Sequence, residues 1–230
     1  MRELYVSVLS AIILLSLIAA SAYAFAIMPQ LLVLEWSIER MDGRVTLNAA
    51  PPEDNTMSNS DYRLLPFSWK TTARFWINPS NKYGFSASSV IKAITASANT
   101  WDEQTLFQLF QYMGATSRSA GKYDRYNVVS WGPYRVGVIA VTYIWYVGDT
   151  IIETDTRLNT YYGWSLTGEK GKMDVQNIMT HEFGHWCGLD DLYDDKDYWL
   201  TMYGYADYGE TYKRTLGLGD ILGLRAVYGE

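Results

Sequence analysis

The alternation of apolar and polar positions predicts several strands in the middle of the chain. Segments rich in β-branched and aromatic residues end at Asn-Pro or at turns that contain glycine, which is typical of strands. The segment LFQLFQYMG, residues 106–114, fits either a strand or the continuation of a helix. The predicted strands are Thr71–Asn78, Val128–Trp131, Val138–Val147 and Thr150–Asn159.

Three further segments are predicted to be helical. Ser86–Trp101 begins with serines that can cap a helix, and its apolar residues recur on one face at helical spacing. A second helix covers residues 171–188 and ends at Gly188, and a short third helix covers Asp220–Tyr228. One early helix, a block of strands and then late helices form a mixed α+β pattern rather than a strictly alternating one.

The first 26 residues form a separate apolar segment. No charged residue occurs between Leu4 and Leu34, and the small residues from Ala22 to Ala26 fit the pattern of a signal-peptide cleavage site. Apart from a buried core helix, the segment is either a cleaved secretory signal or a retained membrane anchor, because about 20 apolar residues span a bilayer. Both interpretations predict an exported protein, secreted or membrane-anchored, with its folded part outside the cytoplasm.

The remaining chain is predicted to contain one domain. Residues 27–61 are an extension and linker, since Ala49–Asp61 is rich in Pro, Asn and Ser, and residues 62–230 form the domain. The net charge of −6 and the lack of a basic cluster argue against a nucleic-acid partner. The single cysteine, Cys187, excludes an intrachain disulfide and a CxxC motif, and it is predicted to be a small buried hydrophobe.

Both histidines of the chain lie in the stretch HEFGHWCGLDD, residues 181–191. His181 and His185 are four residues apart, so a helix presents both imidazoles on one face, as a zinc ion requires. Glu182 lies about 100° around the helix from His181 and can reach a metal-bound water as a general base. A catalytic zinc site needs a third protein ligand. Because Gly188 can turn the chain back, Asp191 is the predicted third ligand.

The residues that carry this motif resemble the metzincin metalloproteases, in particular the matrixins. HEFGHWCGLDD is similar to the matrixin HEFGHxLGLxH, with Asp191 in place of the third histidine, as in snapalysin-type enzymes. LTMYGY, residues 200–205, resembles the turn whose methionine lies beneath the metal, although Gly204 replaces the usual proline. GDILGLRAVYG, residues 219–229, resembles the helix that closes a matrixin catalytic domain.

The resemblance implies a zincin-like (metzincin) catalytic domain, with a twisted mixed β-sheet, a zinc-binding helix and a C-terminal helix. It implies an exported zinc endopeptidase that binds an extended peptide along an antiparallel edge strand, for which Val138–Tyr146 is the candidate. In the implied mechanism His181, His185 and Asp191 hold Zn²⁺, Glu182 is the general base, and Met202 supports the site. A non-catalytic peptide-binding module and a zinc hydrolase of non-protein amides are the alternatives.

Two smaller features allow more than one interpretation. The acidic segment Asp190–Asp197 is either a calcium site or a solvated loop, and the solvated loop is favoured because the ligand spacing of a defined calcium loop is missing. Tyr203 and Tyr205 either stabilise an oxyanion, as a turn tyrosine does in some metzincins, or only line the pocket and core. The second interpretation is favoured by the usual packing role of aromatic residues.

Overall fold

The computed structural model describes residues 28–38 and 59–230. Within these residues, seven strands form one sheet in the order β3-β2-β4-β6-β5-β1-β9, and β7 and β8 form a small second sheet. The strands are β1 Gln30–Ile38, β2 Ala73–Ile77, β3 Phe110–Ala115, β4 Asn127–Gly132, β5 Val138–Val147, β6 Thr150–Asn159, β7 Trp164–Ser165, β8 Met173–Asp174 and β9 Tyr205–Ala206. The helices are α1 Ala87–Asp102, α2 Val175–Trp186 and α3 Leu218–Tyr228, with 3-10 turns at Asp195–Asp197 and Tyr212–Arg214.

The large sheet is mixed but mostly parallel. β3, β2, β4 and β6 pair with one another in parallel, and β9 pairs in parallel with β1. The long strand β5 is antiparallel to both of its neighbours, β6 and β1. The structure thus confirms a mixed fold of helices and a β-sheet, as the sequence predicts.

Most predicted elements have close counterparts in the structure. β5 and β6 occupy the predicted residues, and α1 follows Ser86, whose hydroxyl accepts a hydrogen bond from the backbone N–H of Ser89 as an N-cap. The ambiguous segment 106–114 contributes to a strand, β3, rather than to a longer helix. Within the predicted helix 171–188, the helical part is shorter, because Met173 and Asp174 form β8 and Asp174 caps α2.

The prediction that Val138–Tyr146 forms an open edge of the sheet is wrong. Residues 30–38, which the sequence assigns to the N-terminal extension, form β1 and pair with β5 from Gln30–Tyr146 to Ser37–Val138. Both edges of β5 are therefore hydrogen-bonded in this structure. The pairing is stable because Leu32, Leu34 and Trp36 all point from β1 into the core side of the sheet.

The core lies between the sheet and the two central helices. Phe75 and Phe110 from the sheet pack edge-on or tilted against Phe183 and Trp186 of α2. The indole N–H of Trp101 on α1 donates to the backbone carbonyl of Thr180, which fixes α1 against α2. Cys187 is fully buried, as predicted, and burial raises the pKa of its thiol well above the usual value.

The proposed signal or anchor, residues 1–26, lies outside the described residues, as does most of the linker 49–61. Within 28–38 and 59–230, no helix is long and apolar enough to cross a membrane.

Candidate metal site

The helix α2 places both histidines on one buried face. The Nε2 atoms of His181 and His185 lie 3.1 Å apart, and both residues are 0% exposed. The helix ends after Trp186, and Gly188 has a φ of +87°, a left-handed conformation that turns the chain sharply. A side chain at Gly188 would also collide with the backbone carbonyl of Phe67.

This turn returns the chain to the histidines. Oδ1 of Asp191 lies 3.1 Å from Nε2 of His181 and 3.6 Å from Nε2 of His185. Within 28–38 and 59–230, these three residues form the one group of three or more His, Cys, Asp or Glu side chains whose ligand atoms converge. The structure therefore brings the three predicted ligands together. It does not bring together three carboxylates of the acidic segment Asp190–Asp197.

The hydrogen bonds of the imidazoles fix which nitrogen carries the proton. Nδ1 of His181 lies 2.7 Å from the carbonyl of Thr201, and Nδ1 of His185 lies 2.9 Å from the carbonyl of Leu189. A carbonyl only accepts, so each Nδ1 donates, and the two Nε2 atoms face each other. Oδ1 of Asp191 has no hydrogen-bond donor. Three buried polar atoms thus converge on one point, an arrangement that could hold a metal ion.

The spacing of these atoms fits zinc. Ligands at the usual zinc distances around a tetrahedral ion lie about 3.3 Å from one another. The three observed separations, 3.1, 3.1 and 3.6 Å, agree with this value. Two imidazoles and one carboxylate also favour zinc over calcium, which prefers six to eight oxygen ligands.

Glu182 lies in the same buried region with one oxygen held and one free. Thr142 on β5 donates its hydroxyl proton to Oε2 of Glu182, whereas Oε1 is buried and has no hydrogen-bond partner. Behind Thr142, a chain of hydrogen bonds continues through the hydroxyl of Thr156 to the indole N–H of Trp186. Because the indole N–H only donates and an ionised carboxylate only accepts, each hydroxyl in this series donates its proton towards Glu182.

The surroundings set the charges of the site. Burial lowers the pKa of His181 to about 4 and raises the pKa of Glu182 to about 7, against the lowering effects of His185 and Thr142. For Asp191, burial raises the pKa, but His185, His181 and Tyr193 together outweigh it and hold the pKa below its usual value. Two of the predicted ligands are thus a neutral imidazole, His181, and an ionised carboxylate, Asp191, the forms that bind a metal ion, and the pKa of Glu182 beside them is raised.

The predicted methionine turn packs directly beneath α2. Met202 is buried, and its sulfur lies so close to Gly184 that a Cβ at this glycine would overlap it. The buried carboxylate of Asp220 at the start of α3 accepts hydrogen bonds from the backbone N–H groups of Thr201, Met202 and Gly217. Asp220 therefore holds in place the same turn whose Thr201 carbonyl orients His181.

Several residues of the site have no signal in the sequence. The hydroxyl of Tyr193 donates to Oδ2 of Asp191 at 3.1 Å, and thereby orients the third predicted ligand. Tyr203 is buried and its ring packs against Tyr198 and Tyr205, which fits the packing role. Thr142 and Asp220 reach the site only through the tertiary fold, although Asp220 lies within the quoted C-terminal motif, whereas Tyr193 lies two residues from Asp191.

No protein-family model matches this chain, and a search of curated proteins finds no match.

Proposed function

We propose that the protein is an exported zinc-dependent endopeptidase with a metzincin, matrixin-like catalytic domain. One observation carries the proposal: the free oxygen of Glu182 is buried beside the convergent group of His181, His185 and Asp191. A purely structural zinc site has four protein ligands and no need of a base. Here three predicted ligands converge, and the carboxylate of Glu182 beside them has one oxygen without a hydrogen-bond partner.

The chain's residues have separate roles in this proposal. His181, His185 and Asp191 hold Zn²⁺, which when bound acidifies a water and polarises a peptide carbonyl. Glu182 accepts the proton of the attacking water at Oε1 and delivers it to the leaving amine. Thr142 keeps Oε2 in place, so that Oε1 remains the oxygen that exchanges protons.

The alternatives differ in what they require of Glu182. A non-catalytic peptide-binding module has no use for a buried carboxylate with an unpartnered oxygen, because burying such a group costs stability. A zinc hydrolase of non-protein amides uses the same base, so only its substrate separates it from a peptidase. The resemblance of the three motifs to the matrixins favours a peptide.

The proposal is tested by cleavage of a peptide library, read by mass spectrometry, with the full zinc-loaded chain. Glu182→Gln is the matched variant, since it keeps the shape of the side chain and removes the base. We expect internal cleavage by the parent, its loss in Glu182→Gln, and one zinc per chain in both. The assay also includes Trp36→Ala, because the indole of Trp36 covers the imidazole of His181. The absence of cleavage by both zinc-loaded parent and Trp36→Ala would overturn the proposal.

A further inference from the structure

The N-terminal strand β1 lies across the face of the candidate site. The indole of Trp36 stacks on the imidazole of His181 with a distance of 3.7 Å between ring centroids and an angle of 4° between the planes. Trp36 is 0% exposed, as are His181, Glu182 and His185. No substrate reaches Glu182 while these side chains are so enclosed.

We infer that β1 is an internal occupant of the peptide-binding surface, and that an external peptide is cleaved only after β1 leaves. This inference rests on the proposed function. It follows from the position of β1, which is an extended peptide already added to β5 beside the three ligands. The main-chain groups of β5 that an external peptide would use are those that β1 now occupies.

The pairing of β1 on both of its edges supports this inference. β1 runs antiparallel to β5 along almost its whole length, and its last two residues, Ser37 and Ile38, pair in parallel with Tyr205 and Ala206 of β9. The end of β1 is thus enclosed between β5 and the segment that follows the methionine turn. An external peptide that runs in the same direction as β1 could form hydrogen bonds with the same main-chain groups of β5 and β9.

Trp36 defines the side chain that this surface accepts. Besides the stack on His181, its ring lies 5.3 Å from Nζ of Lys213, a fully buried lysine that bonds the carbonyl of Tyr205 and pairs with Glu210. A flat aromatic side chain can stack on the imidazole and can also form a cation–π contact with the ammonium group. We therefore expect the preferred peptide substrates to place a large aromatic residue in the position of Trp36.

Glu35, on the opposite face of β1, forms a second set of side-chain contacts. The carboxylate of Glu35 accepts hydrogen bonds from the hydroxyl of Tyr134 and from the guanidinium of Arg135. The Glu35–Arg135 pair lies at the surface, with the Arg135 side chain 68% exposed, so it contributes little when salt screens it. Trp36 is therefore the side chain of β1 whose removal most directly uncovers His181.

A reversible disulfide between β1 and β5 tests whether β1 must leave β5 before an external peptide is cleaved. Val33 and Tyr143 are direct cross-strand partners, and they lie on the face of the sheet opposite to Thr142 and Trp36. In the full zinc-loaded chain, the double variant Val33→Cys/Tyr143→Cys forms a disulfide when oxidised and releases β1 when reduced with a phosphine. The native thiol of Cys187 is fully buried and out of reach. We expect the oxidised form to lose cleavage and the reduced form to regain it.

Equal cleavage by the oxidised and reduced forms, with the disulfide verified by mass spectrometry, would overturn the inference and leave the proposed function intact. The absence of cleavage in the reduced form and in Trp36→Ala would instead count against the proposed function. The two failures are therefore distinguishable.

A second experiment needs no disulfide. Trp36→Ala removes the contact with His181, and Leu31→Ala is the matched control, because Leu31 lies on the same strand and is 50% exposed. We expect Trp36→Ala to cleave a reporter peptide about tenfold faster than the parent, which corresponds to about 1.4 kcal/mol weaker retention of β1. Leu31→Ala should match the parent. A synthetic peptide of residues 28–38 should inhibit Trp36→Ala, and the same peptide with Ala at position 36 should not. An unchanged rate for Trp36→Ala would contradict the inference.

Discussion

Thr142 on β5 donates its hydroxyl proton to Oε2 of Glu182 on α2, so the sheet itself orients the proposed general base. The same strand that pairs with β1 thus also fixes the carboxylate within the site. In the proposed function, this link couples the proposed peptide-binding surface to the proposed general base, because any shift of β5 moves both.

Removal of the Thr142 hydroxyl should slow catalysis without loss of the metal. In Thr142→Val, Oε2 of Glu182 loses its donor, and we expect kcat to fall about 10- to 100-fold with KM and zinc content unchanged, as for other outer partners of metal sites. Thr142→Ser should restore the rate. Thr154→Val is the matched control, since the buried hydroxyl of Thr154 has no hydrogen-bond partner among the described residues. A fall in KM or zinc content instead of kcat would contradict this role.

Tyr193 should act on the affinity for the metal. Its hydroxyl orients Asp191, so Tyr193→Phe should weaken zinc binding about tenfold in a competition titration with a chromophoric chelator. Tyr123→Phe serves as the control, because that tyrosine is similarly exposed and lies outside the site. Zinc affinity in Tyr193→Phe equal to that of the parent would show that the hydrogen bond does not matter.

Loss of the Asp220 carboxylate should destabilise the turn beneath the site. Three backbone N–H groups would lose their acceptor, so Asp220→Ala should lower the free energy of unfolding by roughly 3 kcal/mol or more in urea. Because Thr201 also orients His181, zinc affinity should fall as well. Asp149→Ala, at an exposed ion pair with Lys70, should change stability little. Similar stabilities for the two variants would contradict the role of Asp220.

Gly184 should tolerate no side chain. A methyl group there overlaps the sulfur of Met202 and crowds the ring of Trp101, so Gly184→Ala should cost about 1–3 kcal/mol of stability. In a double-mutant cycle with Met202→Ala, the two effects should be less than additive, because truncation of the methionine makes room. Gly163→Ala, which meets only the flexible chain of Lys172, is the control. Strict additivity would refute the contact.

Zinc should stabilise the fold. A zinc ion at the candidate site would join α2 to the segment after Gly188, and the unfolded chain lacks this arrangement, so free zinc at 1,000 times its Kd should add about 4 kcal/mol to the free energy of unfolding. For a domain of this size, the melting temperature should then rise by roughly 10 °C relative to protein treated with a chelator. His185→Ala should show no such response. Equal melting temperatures with zinc and with chelator would contradict a zinc site.

The local parts of the site could be predicted from the sequence, whereas its supports could not. His181, Glu182, His185 and Asp191 lie within eleven residues, so helical spacing and one glycine turn are enough to relate them. Tyr193 lies only two residues beyond Asp191, but its contact depends on the shape of the loop. Thr142 and Asp220 come from a strand and another helix. Their contacts depend on how these elements pack, and no local pattern encodes that packing.

β1 was missed for a different reason. Its two faces differ in the structure, but Leu31 and Val33 on the exposed face are as apolar as Leu32 and Leu34 on the buried face. The period of two that marks a strand is therefore hidden, and the segment continues the apolar run of the first 26 residues. The strands β5 and β6 were predictable because β-branched and aromatic residues dominate them and turns bound them.

The partners of β1 lie far along the chain, and this affects the order of assembly. Trp36 pairs with Ala140 and Ser37 with Tyr205, separations of about 100 and about 170 residues, and contacts between such distant residues form slowly. The helix α2 and the turn at Gly188 involve only neighbouring residues and should form early. We therefore expect each newly made molecule to pass through a stage in which the ligands are in place and β1 has not yet docked. During that stage a metal ion has an open route to its site.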